Sequence, residues 1–231
     1  MNAKKIKLLV LDFDGTIGNS QQLILGTMAD TLHSLGLPVP PRKRLAATIG
    51  LPLEQCFAVG CNMNDADAEK CAGIYRQLFE INNKPGSVPP FPGVLGALAR
   101  LHREGVTLTM ASSRSHGSLQ AFAEEYGVAT LMARMVGADD VDHAKPDAEP
   151  VMTICQSTGI APQHTLVVGD SRFDVLMGRN AGAHTCGVTY GNGSREELQQ
   201  AGADWLADSF AEVESLALGM LSNDLNSEQH S

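Results

Sequence analysis

Tryptophan occurs once in this 231-residue sequence, and aromatic residues make up only 5% of it. No apolar run approaches the roughly 18 residues that a bilayer-spanning helix needs, so no membrane partner is expected. Basic residues are scarce: 17 lysines and arginines stand against 26 aspartates and glutamates, a formal net charge of −9. A chain with that balance repels a phosphodiester backbone, so nucleic acid is not an expected partner. Cysteine is sparse as well. Cys56, Cys61, Cys71, Cys155 and Cys186 include no Cys-x-x-Cys pair. Their odd number points to a reducing compartment, the cytoplasm, with small apolar thiols in the core. Cys56, Cys61 and Cys71 lie near one another, but no histidine stands between them to complete a metal cluster. A signal peptide is not expected, because Lys4, Lys5 and Lys7 lead through a short apolar run straight into Asp12.

What is present is ordinary for a globular protein, 43% hydrophobic and 19% charged. The length suits one large domain, or one domain with an inserted module. The organising stretch is Ile6-Lys7-Leu8-Leu9-Val10-Leu11, an apolar run of the buried-strand kind, which continues into Asp12-Phe13-Asp14-Gly15-Thr16. Side chains two apart on an extended chain point the same way, so Asp12 and Asp14 bring two like charges to the mouth of a strand. Gly15 permits a sharp turn there. Such a pair is costly unless a cation or a shared proton relieves it. Alone, Asp-x-Asp-Gly is also ordinary turn chemistry.

Beyond Thr16 the pattern is helical. Ile24, Met28, Leu32 and Leu35 recur at helical spacing, and Gly36 ends the run. Pro38, Pro40 and Pro41 interrupt, residues 54–79 read as further helices, and no strand is expected from Ile17 to Ile81. Residues 82–86 and 89–93, rich in Asn, Pro and Gly, are the clearest linker. Past it, helix and strand alternate. Helices are expected over residues 94–103, around 119–126, over 149–158 and 173–181, and after Ser194, which makes a capping box with Glu197. Strands are expected over residues 106–111, 134–137, 166–168, 186–189 and 204–207, and the polar end from Ser222 is expected to fray. This alternation implies right-handed crossovers and an α/β, doubly wound (Rossmann-like) parallel sheet. Ligands bind such sheets at the carboxyl ends of strands.

That rule selects the loops after Leu11, Ala111, Val136 and Val168. The first holds Asp12 and Asp14. The second holds Ser112-Ser113-Arg114, the third leads to Lys145-Pro146, and the fourth holds Asp170 with Asp174 one helical turn on. Each alone is common cap, turn or surface chemistry. Together they offer carboxylates, hydroxyls and a lysine. A few hard oxygen ligands favour Mg²⁺ completed by water and substrate phosphate, and lysine with hydroxyls suits the phosphate itself.

This set, in this order, resembles the haloacid dehalogenase superfamily over nearly the whole chain. The matching motifs are Asp12-Phe13-Asp14-Gly15-Thr16, Ser112, Lys145-Pro146 and Gly169-Asp170-Ser171-Arg172-Phe173-Asp174. The helical stretch after the first motif looks like the small cap of the phosphoglycolate phosphatase-like group. Gly187-Val188-Thr189-Tyr190-Gly191 and Ala201-Gly202-Ala203-Asp204 are also similar to that group. The resemblance implies a core of residues 1–16 and 92–231 and an all-helical cap of residues 17–91. Hinges near Ile17–Ser20 and Asn83–Pro92 would let the cap close and expel water. It further implies that Asp12 is a nucleophile forming an aspartyl-phosphate, and that Asp14 is general acid and then base. Ser112, with Ser113 beside it, and Lys145 would hold phosphoryl oxygens. Mg²⁺ would sit on Asp12, the backbone carbonyl of Asp14 and Asp170, helped by Asp174.

Several positions bear on the subclass. Dehalogenases of the superfamily lack the second aspartate, so Asp14 favours phosphoryl chemistry. Ile24 stands where sugar-phosphate mutases usually carry a cap histidine. Asn19 replaces a common Asp or Glu, and Ser113 a common Asn. Thr48-Ile49-Gly50-Leu51 is either the cap loop that faces the site, with Thr48 and Gly50 its candidates, or a plain interhelical turn. Arg114 and His116 read as exposed loop residues, with contact to a substrate carboxylate or second phosphate as the functional alternative, and His143 reads as incidental. The implied activity is a cytoplasmic, Mg²⁺-dependent phosphatase, monomer or homodimer, acting on a small phosphorylated metabolite, phosphoglycolate first. The alternatives are an inorganic pyrophosphatase, a sugar-phosphate mutase and a non-catalytic binding protein.

Overall fold

The computed structural model describes residues 5–221, so the tail expected to fray from Ser222 lies outside the described residues. Strand β1 (Leu8–Leu11) buries all four of its side chains. It is apolar on both faces because both are covered: Leu9 and Leu11 join one hydrophobic cluster, Leu8 and Val10 another. The further strands are β2 (Thr107–Ala111), β3 (Met132–Val136), β4 (Thr165–Gly169), β5 (His184–Val188) and β6 (Trp205–Ala207). They form one sheet in the order β3-β2-β1-β4-β5-β6. Every pairing is parallel. Leu11 lies opposite Met110 on one side and Val168 on the other, so Asp12, Ser112 and Asp170 leave neighbouring strands at nearly one level. That is the α/β doubly wound architecture expected, and its order reverses between β1 and β4.

Four helices follow β1: α1 (Gln21–Ser34), α2 (Arg42–Ala46), α3 (Leu53–Cys61) and α4 (Asp65–Asn82). They bury a cluster of their own, including Met28, Leu32, Phe57 and Ala72. The segments entering and leaving this insert run side by side, with Asn19 N donating to Pro89 O and Phe91 N to Ile17 O, both at 2.9 Å. Helices α5 (Val94–Arg103) and α6 (His116–Glu125) cover one face of the sheet. Helices α7 (Glu149–Thr158) and α8 (Arg172–Asn180) cover the other. A short α9 (Arg195–Gln200) carries the capping box expected of Ser194 and Glu197. No helix among the described residues is long and apolar enough to cross a membrane.

The expected elements are present, with ends displaced by one to three residues. Strand β5 begins at His184 rather than Cys186, and β3 begins at Met132 rather than Arg134. Helix α10 (Phe210–Leu221) was not anticipated, although Phe210, Val213, Ala217 and Met220 lie on one buried face. Its start signal is Ser209, whose hydroxyl accepts from Glu212 N at 3.4 Å. It returns to the first-named face of the sheet, where Glu214 takes two bonds from Arg100 at 2.5 and 2.7 Å.

Candidate active site

Asp12 directly follows β1 and is still tied to the sheet, its N–H donating to Val168 O at 2.9 Å. The chain then turns at once. Gly15 sits at φ +87°, and the Thr16, Ile17 and Gly18 amides all converge on Phe13 O. The two like charges at the strand mouth are relieved by separate cations rather than a shared proton. Lys145 Nζ donates to Asp12 Oδ1 at 2.5 Å, and the Arg114 guanidinium meets both oxygens of Asp14 at 2.7 Å.

Lys145 is buried and also donates to Asp174 Oδ1 at 2.6 Å. Asp174 Oδ2 is taken by the N–H and hydroxyl of Ser171, at 3.0 and 2.6 Å, in the capping box that starts α8. Asp174 therefore caps a helix and anchors the lysine through its two oxygens. The Cβ built at Gly169 would lie 2.2 Å from Asp174 Cβ, so only glycine lets α8 approach the strand this closely. Burial works against the Lys145 charge, but Asp12 and Asp174 outweigh it and hold its pKa above the ordinary lysine value. Burial pushes Asp12 up to about 7 against the pull of Lys145, with Asp174 and Asp14 adding to the rise. Asp170 is likewise raised, first by burial and then by Asp12 and Asp174.

Asp12, Asp170 and Asp174 each offer a carboxylate oxygen, and these atoms lie within 4.8 Å of one another. Glycines let the neighbouring backbone close tightly on Asp170: a Cβ on Gly15 would fall 2.0 Å from Asp170 Oδ2, and one on Gly191 2.4 Å from the same atom. A buried group of hard oxygen donors this close together fits a small divalent cation. Ser112 is buried beside it, its hydroxyl accepting from Arg114 N at 3.3 Å.

The structure also departs from the sequence-based expectations. Arg114 is not an exposed loop residue; its side chain is 9% exposed and packs over the rings of Phe13, Phe79 and Phe122. Thr48 does not reach the site, because its hydroxyl is buried and donates to Leu45 O at 2.7 Å inside the insert. Gly50 does face it: its carbonyl accepts from Ser113 Oγ at 2.6 Å, and a Cβ there would meet Ser171 Oγ at 3.0 Å. His116 is turned away toward Asp140, 2.7 Å distant, and His143 pairs with Glu149 on the surface. The cysteines are free, and burial holds the Cys56 and Cys186 thiols up at about 12, which makes them inert core residues.

Asn192 was missed. Its backbone N–H and Nδ2 donate to Asp170 Oδ2 at 2.5 and 2.8 Å, and its Oδ1 accepts from Gln21 Nε2 at 2.9 Å. The signal that could have found it is position: it lies just past the exit of β5, beside the exit of β4.

Residues 9–188 match the profile of the haloacid dehalogenase-like hydrolases. The chain is 33% identical over 219 residues to "Probable phosphatase IndB" of Dickeya dadantii, covering 93% of this chain and 94% of that protein. It is 27% identical over 233 residues to the phosphoglycolate phosphatase of Salmonella paratyphi A, covering 91% and 92%. It is 26% identical over 208 residues to pyrophosphatase PpaX of Oceanobacillus iheyensis, covering 90% and 95%. Among solved structures, a haloacid dehalogenase-like family hydrolase of Streptococcus pneumoniae superposes with a TM-score of 0.82 at 24% identity, covering 91% of this chain and 98% of that one.

Proposed function

The chain is a phosphatase that belongs to the haloacid dehalogenase-like hydrolase family, and on that premise we propose that it hydrolyses a small phosphate monoester of the phosphoglycolate type, with Mg²⁺, through an aspartyl-phosphate on Asp12. The observation that carries this reading is the Lys145 contact. It takes Oδ1 of Asp12 and leaves Oδ2 as the oxygen that attacks phosphorus in line, while Asp174 fixes the lysine from the other side. Lys145 and Ser112 then bind the phosphoryl oxygens as negative charge shifts onto them. Asp14 gives a proton to the leaving oxygen and later takes one from the water that opens the intermediate. Asp12, the carbonyl of Asp14 and Asp170 are the residues that would hold Mg²⁺, with Asp174 behind them. When bound, the cation neutralises charge that would otherwise keep an anionic nucleophile from an anionic phosphate.

Residues 17–91 act as a cap on a core of residues 1–16 and 92–231. Asp12, Ser112, Lys145 and Asp170 are all buried, so substrate reaches them only when the insert swings aside. Hinges at Ile17–Ser20 and Asn83–Pro92 are supported by buried polar atoms without partners at Ser20 Oγ and Asn83 Oδ1, which a second arrangement of the insert can satisfy. The unpaired cysteines support a cytoplasmic location, and monomer or homodimer is the expected assembly. The pyrophosphatase named among the relatives keeps inorganic pyrophosphate as a second candidate substrate.

The test is phosphate release from small phosphomonoesters and pyrophosphate, with and without Mg²⁺. Turnover that needs Mg²⁺ and disappears in Asp12→Asn is expected, with the best substrate choosing between the two candidates. Turnover that survives Asp12→Asn overturns the nucleophile assignment.

A further inference from the structure

Arg114 is a largely buried cation, its side chain 9% exposed, at the seam between the sheet and the helical insert. Nε lies 2.7 Å from Asp14 Oδ2 and Nη2 lies 2.7 Å from Oδ1, the two-pronged geometry in which guanidinium and carboxylate match. Nη1 reaches Ser118 Oγ at 3.2 Å. The rings of Phe122, Phe79 and Phe13 stand 4.7, 5.0 and 5.3 Å from its central carbon. Phe79 comes from α4 of the insert, whereas Phe13 lies in the turn after β1 and Phe122 in the helix α6 that covers the sheet.

Two consequences follow from that geometry. A carboxylate with both oxygens in the grip of a guanidinium has neither free to pass a proton to a leaving oxygen. A buried guanidinium that loses its carboxylate is costly unless another anion replaces it. The neighbouring cation, Lys145, is already shared between Asp12 and Asp174. We propose that Arg114 is the receptor for a carboxylate on the substrate, carried beside the phosphate that is transferred, and that this carboxylate displaces Asp14 from Arg114. The exchange is like for like: one carboxylate leaves the guanidinium and another takes its place, and the released Asp14 takes up a proton from solvent water, which it then gives to the leaving oxygen. A substrate with a neutral tail supplies no replacement, so Asp14 stays held. Because Phe79 reaches the guanidinium from the insert, closure of the insert completes the receptor. The inference rests on the phosphatase reading above, with Asp14 as the proton carrier.

The test compares phosphoglycolate with ethyl phosphate, which has the same two-carbon frame and a methyl in place of the carboxylate. Wild type, Arg114→Ala and Arg114→Lys are assayed with Mg²⁺, and the ratio of kcat/KM for the two esters is read. The wild-type ratio is expected to favour phosphoglycolate by roughly 10², since a buried polar group left unpaired penalises the wrong ligand. It is expected to collapse toward one in Arg114→Ala, whatever the absolute rates, and to fall in between for Arg114→Lys. A ratio near one in wild type overturns the proposal. So does an unchanged ratio in Arg114→Ala, which would make Arg114 only a support for Asp14. Calorimetry on Asp12→Asn and on Asp12→Asn with Arg114→Ala separates this failure from that of the catalytic reading. Tighter binding of phosphoglycolate than of ethyl phosphate, lost without Arg114, supports the receptor even where turnover fails. Equal binding of the two overturns it.

Discussion

Replacing Lys145 by methionine keeps most of the side-chain volume and removes the charge that lies 2.5 Å from Asp12 Oδ1 and 2.6 Å from Asp174 Oδ1. What remains is a buried group of three carboxylates, Asp12, Asp170 and Asp174, with oxygens within 4.8 Å of one another. At an effective dielectric constant of about 20, two unit charges that far apart repel by roughly 3 kcal/mol. Removing one partner of a buried ion pair costs about 3–5 kcal/mol, the same scale. The carboxylates can escape part of this by taking up a proton. Asp12 is already pushed up to about 7, by burial first, even with Lys145 pulling it down. The folded carboxyl therefore holds its proton more tightly than the unfolded one. Its favourable contribution is present below the unfolded value of about 4 and is lost as pH rises through the folded value. Urea titrations in chelator at about pH 5.5 and about pH 8 thus separate charge from packing. Lys145→Met is expected to lose about 3–5 kcal/mol at the higher pH and clearly less at the lower. Lys145→Arg keeps the charge but brings a planar fork to a place where one nitrogen bridges two oxygens. It is expected to retain more stability than the methionine variant, yet to lose about 10²–10³ in rate. A loss below about 1 kcal/mol in Lys145→Met, or an equal loss at both pH values, would refute the charge argument.

Asn192→Ala strips one side-chain donor from Asp170 and breaks the link to Gln21. Calorimetry should show Mg²⁺ affinity falling about tenfold, and an unchanged affinity would show that Asp170 needs no such support. Gly50→Ala places a Cβ 3.0 Å from Ser171 Oγ on a residue at φ +106°. It should cost about 1–3 kcal/mol, read as a lowered Tm, and an unshifted Tm would mean that the loop moves away freely. Protons compete with a cation for Asp12 and Asp170, both raised first by burial. Mg²⁺ should therefore raise Tm more at about pH 8 than at about pH 5.5, and equal increments would place the cation elsewhere.

Much of this molecule is local enough to be legible in a line of residues. The apolar run into Asp12, the alternation after residue 92 and the capping box at Ser194 each depend on neighbours a few positions apart. The strand exits follow from that alternation, and with them the loops that carry Asp12, Ser112, Lys145 and Asp170. Helix α10 was legible too, through Ser209, Glu212 and the spacing of Phe210, Val213 and Ala217, but from Leu216 to Leu221 no polar residue marks the period. Tertiary structure alone decided how the charges pair. Lys145 lies 133 residues from Asp12 and Arg114 lies 100 from Asp14. Both lysine and arginine could have served either carboxylate, or solvent. The sheet order sets β1 between β2 and β4, and α8 brings Asp174 back beneath Lys145. Thr48 was drawn inward and Gly50 outward by the packing of four helices, which no spacing rule records. Periodicity reports which face of an element is covered, whereas the choice of ion-pair partner depends on distances set by the folded chain.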